Sequence, residues 1–194
     1  MFGTLALDNS DLLVLILICF FAGLIRGFSG FGLSAFVMSL ALTIIPPIEL
    51  IPVCWWMEFF ASVFMIKNGW KDSDKKISII LWLGAIFGLP IGIFLTTILD
   101  FQTSKIIALV LILILALILL KNFKIQFLST TAGTGFSGVC AGVATGLASI
   151  GGMIVATYVL ASQNSARRMR ASLVLYILLN SITTFIFLII FDVM

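Results

Sequence analysis

The sequence predicts an all-α polytopic membrane protein built from inverted-topology repeats, each starting with a glycine-broken re-entrant helical hairpin that transmembrane helices follow. Three observations support this prediction. The chain of 194 residues is 62% hydrophobic and 10% charged, whereas charged residues make up about 25% of a typical soluble domain. Long uncharged apolar runs recur along the chain, and a membrane-spanning helix needs about 20 predominantly apolar residues. Two of these runs are too long for one crossing and contain glycine clusters.

The composition also excludes several other classes of protein. A transmembrane β-barrel needs strands of about ten residues that alternate polar and apolar side chains, and the runs here are apolar throughout. The chain has no His, which excludes His-based catalysis and His-ligated metals. Cys19, Cys54 and Cys140 are scattered through apolar runs without a CxxC pair, so we expect neither a disulfide framework nor a metal site. The net charge of +3 comes from basic residues at the ends of apolar runs and does not indicate nucleic-acid binding.

The first long run, residues 12–45, carries a single charge, Arg26, and contains a glycine cluster between Gly27 and Gly32. As one helix it would be about 51 Å long at 1.5 Å per residue, whereas the hydrocarbon core of a bilayer is about 30 Å thick. Glycine weakens helices, so we expect a break at the cluster. The alternatives are one long, tilted and broken helix, or a hairpin of two half-helices that enters and leaves the membrane on the same side.

Three ordinary helices follow the first long run and complete a first repeat over residues 1–124. They are predicted at residues 49–66, 77–99 and 105–121. The second repeat, residues 125–194, contains a second long run at residues 125–166, which a glycine cluster breaks, and a helix at residues 170–192. Two further helices would be needed to match the first repeat. We therefore expect either a truncated sequence or a natural short form that oligomerisation completes.

The basic residues arbitrate between a single crossing and a hairpin, because cytoplasmic loops of membrane proteins carry an excess of Lys and Arg. These residues form three clusters: Lys67, Lys71, Lys75 and Lys76; Lys121 and Lys124; and Arg167, Arg168 and Arg170. If residues 125–166 form a hairpin, all three clusters are cytoplasmic, whereas a single crossing places the arginines outside. We therefore expect two hairpins that start on opposite sides of the membrane, as in an inverted repeat.

Two inverted hairpins would meet near the bilayer midplane with half-helix N-termini pointing inward. Such ends offer unpaired N–H groups and partial positive charge, which suit an anion, and glycines let a ligand approach the backbone closely. The candidate binding residues at the two breaks are Gly27, Ser29, Gly30, Phe31, Gly32, Ser149, Gly151 and Gly152. The alternative is that glycines only allow close helix packing, which we favour for Gly23 and Gly142.

Arg26 and Glu58 are the charged candidates. An ionised side chain deep in the membrane costs about 2.5–3.5 kcal/mol on insertion scales and usually has a function. Arg26 directly precedes the first break, where it would complement an anion, and the alternative is that it snorkels to an interface. Glu58 lies well inside a span, and three roles stay open: counter-ion to Arg26, protonatable coupling group, or pore-facing polar residue. Tyr158 and Asn180 are candidate coupling or gating residues, with interhelical hydrogen bonding as the alternative.

Three motifs carry a resemblance to a known family. They are Arg26-Gly-Phe-Ser-Gly-Phe-Gly32 with the Pro46-Pro47 turn; Gly142, Gly146, Gly151 and Gly152 followed by Tyr158; and the segment from Gly84 to Gly92. Together they resemble the TauE/SafE sulfite-exporter family over essentially the whole chain. The resemblance implies transport of small sulfur-containing anions such as sulfite, sulfonates, sulfoacetate or thiosulfate. From the residues themselves only a preference for an anion follows.

The residues and the resemblance together predict a secondary transporter of the cell inner (plasma) membrane that works by alternating access and is not an enzyme. The half-helix N-termini and Arg26 would hold the anion at the midplane. The expected partners are the small anionic substrate, the lipid bilayer, a coupled proton if Glu58 titrates, and a second copy if the chain forms a homo-oligomer. No cofactor, metal or nucleic acid is expected. The alternatives are an anion channel and, less favoured, a membrane redox enzyme or an assembly subunit.

Overall fold

A computed structural model describes residues 8–121, 130–161 and 165–193 of the chain. Every regular element within these residues is a helix, which confirms the predicted all-α class. Five of the helices are long and apolar enough to cross a membrane. The helices of the described residues are α1 (Asn9–Ser29), α2 (Leu33–Ala41), α3 (Pro47–Asp72), α4 (Lys75–Ile98), α5 (Phe101–Lys121), α6 (Thr131–Ala148), α7 (Gly151–Ala161) and α8 (Ala166–Ile190).

The helices predicted from the apolar runs are found, with differences at their ends. The predicted helices at residues 49–66, 77–99, 105–121 and 170–192 correspond to α3, α4, α5 and α8. α3 continues to Asp72, beyond the predicted end at residue 66. The prediction ended too early because the last turns of α3 carry charged side chains, and a hydrophobicity pattern does not include these in an apolar helix. The predicted boundary between the two repeats, and Lys124 with it, lies outside the described residues.

The first predicted break is observed, but its two arms are unequal. Gly30 takes a left-handed conformation with φ +85°, and its N–H donates to the carbonyl of Arg26, which ends α1. Gly32 is also left-handed, with φ +87°, and α2 begins directly after it. This conformation disfavours residues with a Cβ. The sequence predicted two half-helices, whereas α1 has 21 residues and α2 has nine.

The second predicted break is observed at Ser149 and Ile150. Ser149 has φ +56°, and its N–H donates to the carbonyl of Thr145 at 2.7 Å, which closes α6. α7 then runs back along α6, since the hydroxyl of Tyr158 lies 2.7 Å from that of Thr134 near the start of α6. The helical hairpin is thus a geometric fact of the fold. That it enters and leaves a membrane on one side stays a prediction.

α4 and α6 pack together through glycines at every fourth position. Glycines 84, 88 and 92 of α4 face glycines 138, 142 and 146 of α6. The order of these contacts is the same along both helices, so the two helices run parallel. A Cβ on Gly142 would lie 2.8 Å from both the Cα of Ala85 and the N of Leu89. The close-packing interpretation is therefore confirmed for Gly142. It is wrong for Gly23, because no atom of the described residues lies within 4 Å of a Cβ added there.

Gly142→Ala should destabilise the α4–α6 interface, because its new methyl group would meet backbone atoms of α4 that cannot move aside. Overpacking of this kind typically costs about 1–3 kcal/mol. The matched control is Gly135→Ala on the same helix, where nothing lies within 4 Å of an added Cβ and alanine favours the helix by up to about 1 kcal/mol. Thermal unfolding of the two purified variants in detergent measures the difference. Equal or higher stability of Gly142→Ala would contradict the close packing.

The start of α8 lies beside the turn between α3 and α4. The guanidinium Nε of Arg167 lies 2.7 Å from Oδ2 of Asp72, and the backbone N–H of Asp74 donates to the hydroxyl of Ser172 at 2.8 Å. The indole N–H of Trp55 donates to the carbonyl of Ser181 at 2.7 Å, so α3 and α8 run antiparallel. The basic residues at the end of α3 and those at the start of α8 consequently lie at the same end of the bundle.

Candidate functional site

A cavity lies between α3, the break that separates α6 from α7, and α8. The space between its lining atoms is about 360 Å³ when the open solvent at its mouth is included. Seven of its ten lining residues carry a hydroxyl, amide or carboxylate group, and an indole ring and one aliphatic side chain form an apolar wall. The lining residues are Trp55, Glu58, Thr145, Ser149, Gly152, Tyr176, Ile177, Asn180, Ser181 and Thr184. Small-ligand sites of proteins are concavities of this kind, with a few convergent polar groups.

Most of the unpaired buried polar atoms of the described residues converge on this cavity. Among all described residues, six buried side-chain N or O atoms have no hydrogen-bond partner, and four of the six belong to residues that line the cavity. These four are Glu58 Oε2, the hydroxyl of Tyr176, Asn180 Oδ1 and Thr184 Oγ1. A buried polar group without a partner costs about 1–3 kcal/mol, and such groups are rare in native proteins. Their clustering indicates a binding site for a polar ligand.

The N-terminus of α7 supplies the backbone part of the cavity wall. The first N–H groups of a helix have no acceptor within the helix, and this end carries partial positive charge. Gly152, in the first turn of α7, lines the cavity beside Ser149. Gly151 is needed for packing, because a Cβ there would press against the hydroxyl of Thr145 and the carbonyl of Ala141 on α6. The second glycine pair therefore brings a helix N-terminus to the edge of the cavity.

Arg26 is buried in the protein and does not snorkel, since only 1% of it is exposed. Its Nε lies 3.2 Å from Oε2 of Glu58, although the two atoms are not aligned as a hydrogen bond. Its Nη2 donates to the hydroxyl of Ser62 at 2.7 Å, and its Nη1 donates to the carbonyl of Gly30. Of the three roles left open for Glu58, its contact with Arg26 supports that of counter-ion, and the position of Glu58 in the cavity lining supports that of a pore-facing polar residue as well.

Glu58 also connects this ion pair to the cavity. Its Oε1 accepts from the hydroxyl of Ser34 at 3.0 Å, while Oε2 faces Arg26. The side chain is mostly buried, and it lines the cavity. It is the only carboxylate among the lining residues, and none of them is Lys or Arg. The cavity is thus built from neutral donors and one acidic group, with a guanidinium directly behind that acid.

The structure brings together only part of the predicted site. Glu58, Ser149, Gly152 and Asn180 line the cavity, and Arg26 reaches it through Glu58. The residues of the first break are not among the lining residues: Gly27, Ser29, Gly30, Phe31 and Gly32. A direct contact of the substrate with that break or with Arg26 stays a prediction.

The contacts of the first break are local or lead to another helix. The hydroxyl of Ser29 donates to the carbonyl of Ile25 at 2.7 Å, and the carbonyl of Gly27 accepts from Arg170 of α8. Tyr158 is not among the residues that line the cavity. Its hydroxyl is hydrogen-bonded to that of Thr134 instead. The interhelical alternative for Tyr158 is therefore the one that the structure supports.

Sequence reasoning missed several lining residues, above all Tyr176 and Thr184. A signal for them was present, because Tyr176, Asn180 and Thr184 are four residues apart on α8. Residues at this spacing share one face of a helix. A line of polar side chains on an otherwise apolar transmembrane helix indicates a wet or ligand-facing side. Trp55 carried no such signal, since a Trp next to another Trp in an apolar run is ordinary core composition.

Residues 15–194 match the family model described as sulfite exporter TauE/SafE. No curated protein and no solved structure matches the chain. The matched residues contain both helix breaks, the buried ion pair and the whole cavity.

Proposed function

The chain belongs to the TauE/SafE sulfite exporter family, and on this premise we propose that it is a secondary transporter that moves a small sulfur-containing anion across the plasma membrane by alternating access. The family is one of membrane transporters, and five apolar helices make the chain a multi-pass membrane protein. The anion binds in the cavity between α3, the α6–α7 break and α8. One observation carries the proposal: three buried polar atoms with neither a hydrogen bond nor an ion pair, those of Tyr176, Asn180 and Thr184, meet a helix N-terminus there.

The cavity suits a small oxyanion because its neutral groups can donate to several oxygens at once. Hydroxyl groups of Tyr176, Ser149 and Thr184 line it, together with the first turn of α7. Helix N-termini bind sulfate, phosphate and carboxylate groups through free N–H groups and the helix dipole. Sulfite and small sulfonates carry several oxygens on one sulfur atom, so these donors can bind more than one oxygen of the same ligand. The apolar wall of Trp55 and Ile177 leaves room for the organic part of a sulfonate.

The charges around the cavity favour a monovalent anion and couple it to a proton. Arg26 and ionised Glu58 form a pair with no net charge, so an added anion beside Glu58 would leave one negative charge uncompensated. Charges in a low-dielectric interior interact strongly, and an unpaired buried charge is costly. Protonation of Glu58 removes the repulsion and leaves Arg26 to balance one negative charge. We therefore propose that one proton travels with one monovalent anion, with Glu58 as the coupling group.

Uptake into proteoliposomes tests the proposed function. Purified protein in liposomes should accumulate hydrogen sulfite or a small monovalent sulfonate when a pH gradient is imposed, and an ionophore that collapses the gradient should abolish accumulation. Sulfate, which is divalent, should be a poor substrate, and protein-free liposomes are the control. Flux that only follows the anion gradient would favour the alternative of an anion channel. Absence of flux for every sulfur-containing anion would overturn the proposal.

Alternating access in this proposal rests on two inverted hairpins, and labelling from each side of the membrane tests that arrangement. The contact between Arg167 and Asp72 supports it, because it joins two basic clusters at one end of the bundle. With the three native cysteines replaced by serine, a cysteine at Lys71 or Arg168 should react only with reagent applied from the cytoplasm. A cysteine at Gln102, in the first turn of α5, should react only from outside. Reaction of the Arg168 position from outside alone would contradict the hairpins.

A further inference from the structure

α8 carries a line of three polar residues that meet the cavity: Tyr176, Asn180 and Thr184, hereafter the α8 stripe. Their exposed fractions are 1%, 6% and 3%. Each has a side-chain atom without a hydrogen-bond partner, namely the hydroxyl of Tyr176, Oδ1 of Asn180 and Oγ1 of Thr184. Each of these three atoms in succession on one helix face is destabilising unless something binds it.

Neighbouring polar residues of the same helix show what satisfied groups look like. The hydroxyl of Thr183, next to Thr184, accepts from the indole N–H of Trp82 at 2.8 Å, and the hydroxyl of Ser181 donates to the carbonyl of Ile177 at 2.7 Å. Tyr158, the other tyrosine of the chain, is equally buried and has its hydroxyl paired with Thr134. Within α8, the buried atoms without a partner all belong to residues that line the cavity, although Ser181 lines it as well with a paired hydroxyl.

We propose that the α8 stripe is the face of the cavity that recognises the substrate, and that it selects a monovalent oxyanion that retains one proton of its own, such as hydrogen sulfite. This inference rests on the proposed function. The hydroxyls of Tyr176 and Thr184 are donors to the anionic oxygens. Oδ1 of Asn180 accepts hydrogen bonds only, so it matches a ligand that brings an O–H group. A dianion without a proton, such as sulfate, leaves this acceptor unpaired and adds a charge that Arg26 alone does not balance.

Two isosteric variants test the stripe, and each has a matched control variant at a hydroxyl that already has a hydrogen-bond partner in the protein. Tyr176→Phe and Thr184→Val remove hydroxyls that face the cavity, and Tyr158→Phe and Thr183→Val remove hydroxyls that are paired elsewhere. The measurements are the affinity of the purified full chain for sulfite, by calorimetry at a pH where hydrogen sulfite is present, and the thermal unfolding temperature without ligand.

The expected results differ in opposite directions for the two kinds of variant. Tyr176→Phe and Thr184→Val should lose about 10- to 100-fold in affinity, because a hydrogen bond to a charged group is lost. Their unfolding temperature should stay the same or rise, since the hydroxyls have no partner to lose. Tyr158→Phe and Thr183→Val should keep the affinity within about twofold and unfold at a lower temperature, because each loses a buried hydrogen bond. Thr183→Val should cost more, since it leaves the indole N–H of Trp82 unpaired, whereas the hydroxyl of Thr134 keeps its bond to the carbonyl of Thr130.

The outcomes separate this inference from the proposed function. If both stripe variants bind sulfite as tightly as the wild type does, the recognition role of the stripe is overturned while the proposed function stands. If the wild type binds no sulfite, both are overturned. If Tyr176→Phe fails to fold, Thr184→Val alone tests the stripe. Equal binding of sulfate and sulfite by the wild type would overturn the selection of a protonated monovalent ion.

Discussion

Glu58→Gln is expected to abolish accumulation of substrate driven by a pH gradient while exchange of substrate across the membrane continues. Gln has nearly the same shape, and its Oε1 can still accept from the hydroxyl of Ser34. It cannot ionise, so anion binding no longer depends on a proton. One proton per monovalent anion gives about tenfold accumulation per unit of pH gradient, and this factor should fall to one in the variant.

The same variant should bind the anion more tightly than the wild type does. With Gln at this position, the charge of Arg26 has no counter-ion until the anion arrives, and an unpaired buried charge is strongly destabilising. The anion should therefore raise the unfolding temperature of Glu58→Gln by more than it raises that of the wild type. Glu49→Gln, in the first turn of the same helix and outside the cavity lining, is the control and should transport normally. Undiminished driven accumulation in Glu58→Gln would remove Glu58 from the coupling mechanism.

The helices and their breaks could be predicted from the sequence because they depend on local properties. Apolar length gave α3, α4, α5 and α8, and the left-handed conformations at Gly30 and Gly32 are those that glycine adopts most readily. The unequal arms of the first break could not be predicted, because α1 starts at Asn9, before the apolar run begins, and α2 ends at Ala41, before the run ends. Membership of the TauE/SafE family was also indicated by local motifs, and the match over residues 15–194 confirms it.

The composition of the cavity could be predicted only in part, because it depends on contacts between distant segments. Arg26 and Glu58 were both recognised as costly charges, yet nothing in their sequence positions shows that they lie 3.2 Å apart. The pairing of Gly142 with Ala85 similarly depends on the parallel packing of α4 and α6. Tyr176 was overlooked because a single Tyr in an apolar run is common. The four-residue spacing from Tyr176 to Asn180 and Thr184 indicates a polar helix face only when the three residues are considered together.

Arg26→Met should give the largest loss of stability of the substitutions considered, and a second substitution should restore it. Removing the guanidinium leaves Glu58 buried without its counter-ion and takes a donor from Ser62 and from the carbonyl of Gly30. Breaking a buried ion pair by deleting one partner typically costs about 3–5 kcal/mol, whereas replacing both partners with uncharged residues is often neutral. The double variant Arg26→Met/Glu58→Gln should therefore recover most of the stability, as measured by unfolding in detergent. Arg168→Ala, an exposed arginine, is the control and should change stability by no more than about 0.5 kcal/mol.

The double variant also decides what Arg26 contributes to anion binding, because it can be compared with Glu58→Gln alone. The two proteins differ only in the presence of the guanidinium, and neither has an ionised group at position 58. If the charge of Arg26 balances the bound anion, the double variant should bind sulfite about 10- to 100-fold more weakly than Glu58→Gln, the range that corresponds to the loss of a charged interaction worth about 1.5–3 kcal/mol. Arg26→Lys with Glu58→Gln keeps the charge without the planar fork of donors, so it should lie between the two. Equal affinity in all three proteins would mean that the neutral donors of α7 and α8 hold the anion without help from Arg26, and the guanidinium would then serve the fold alone.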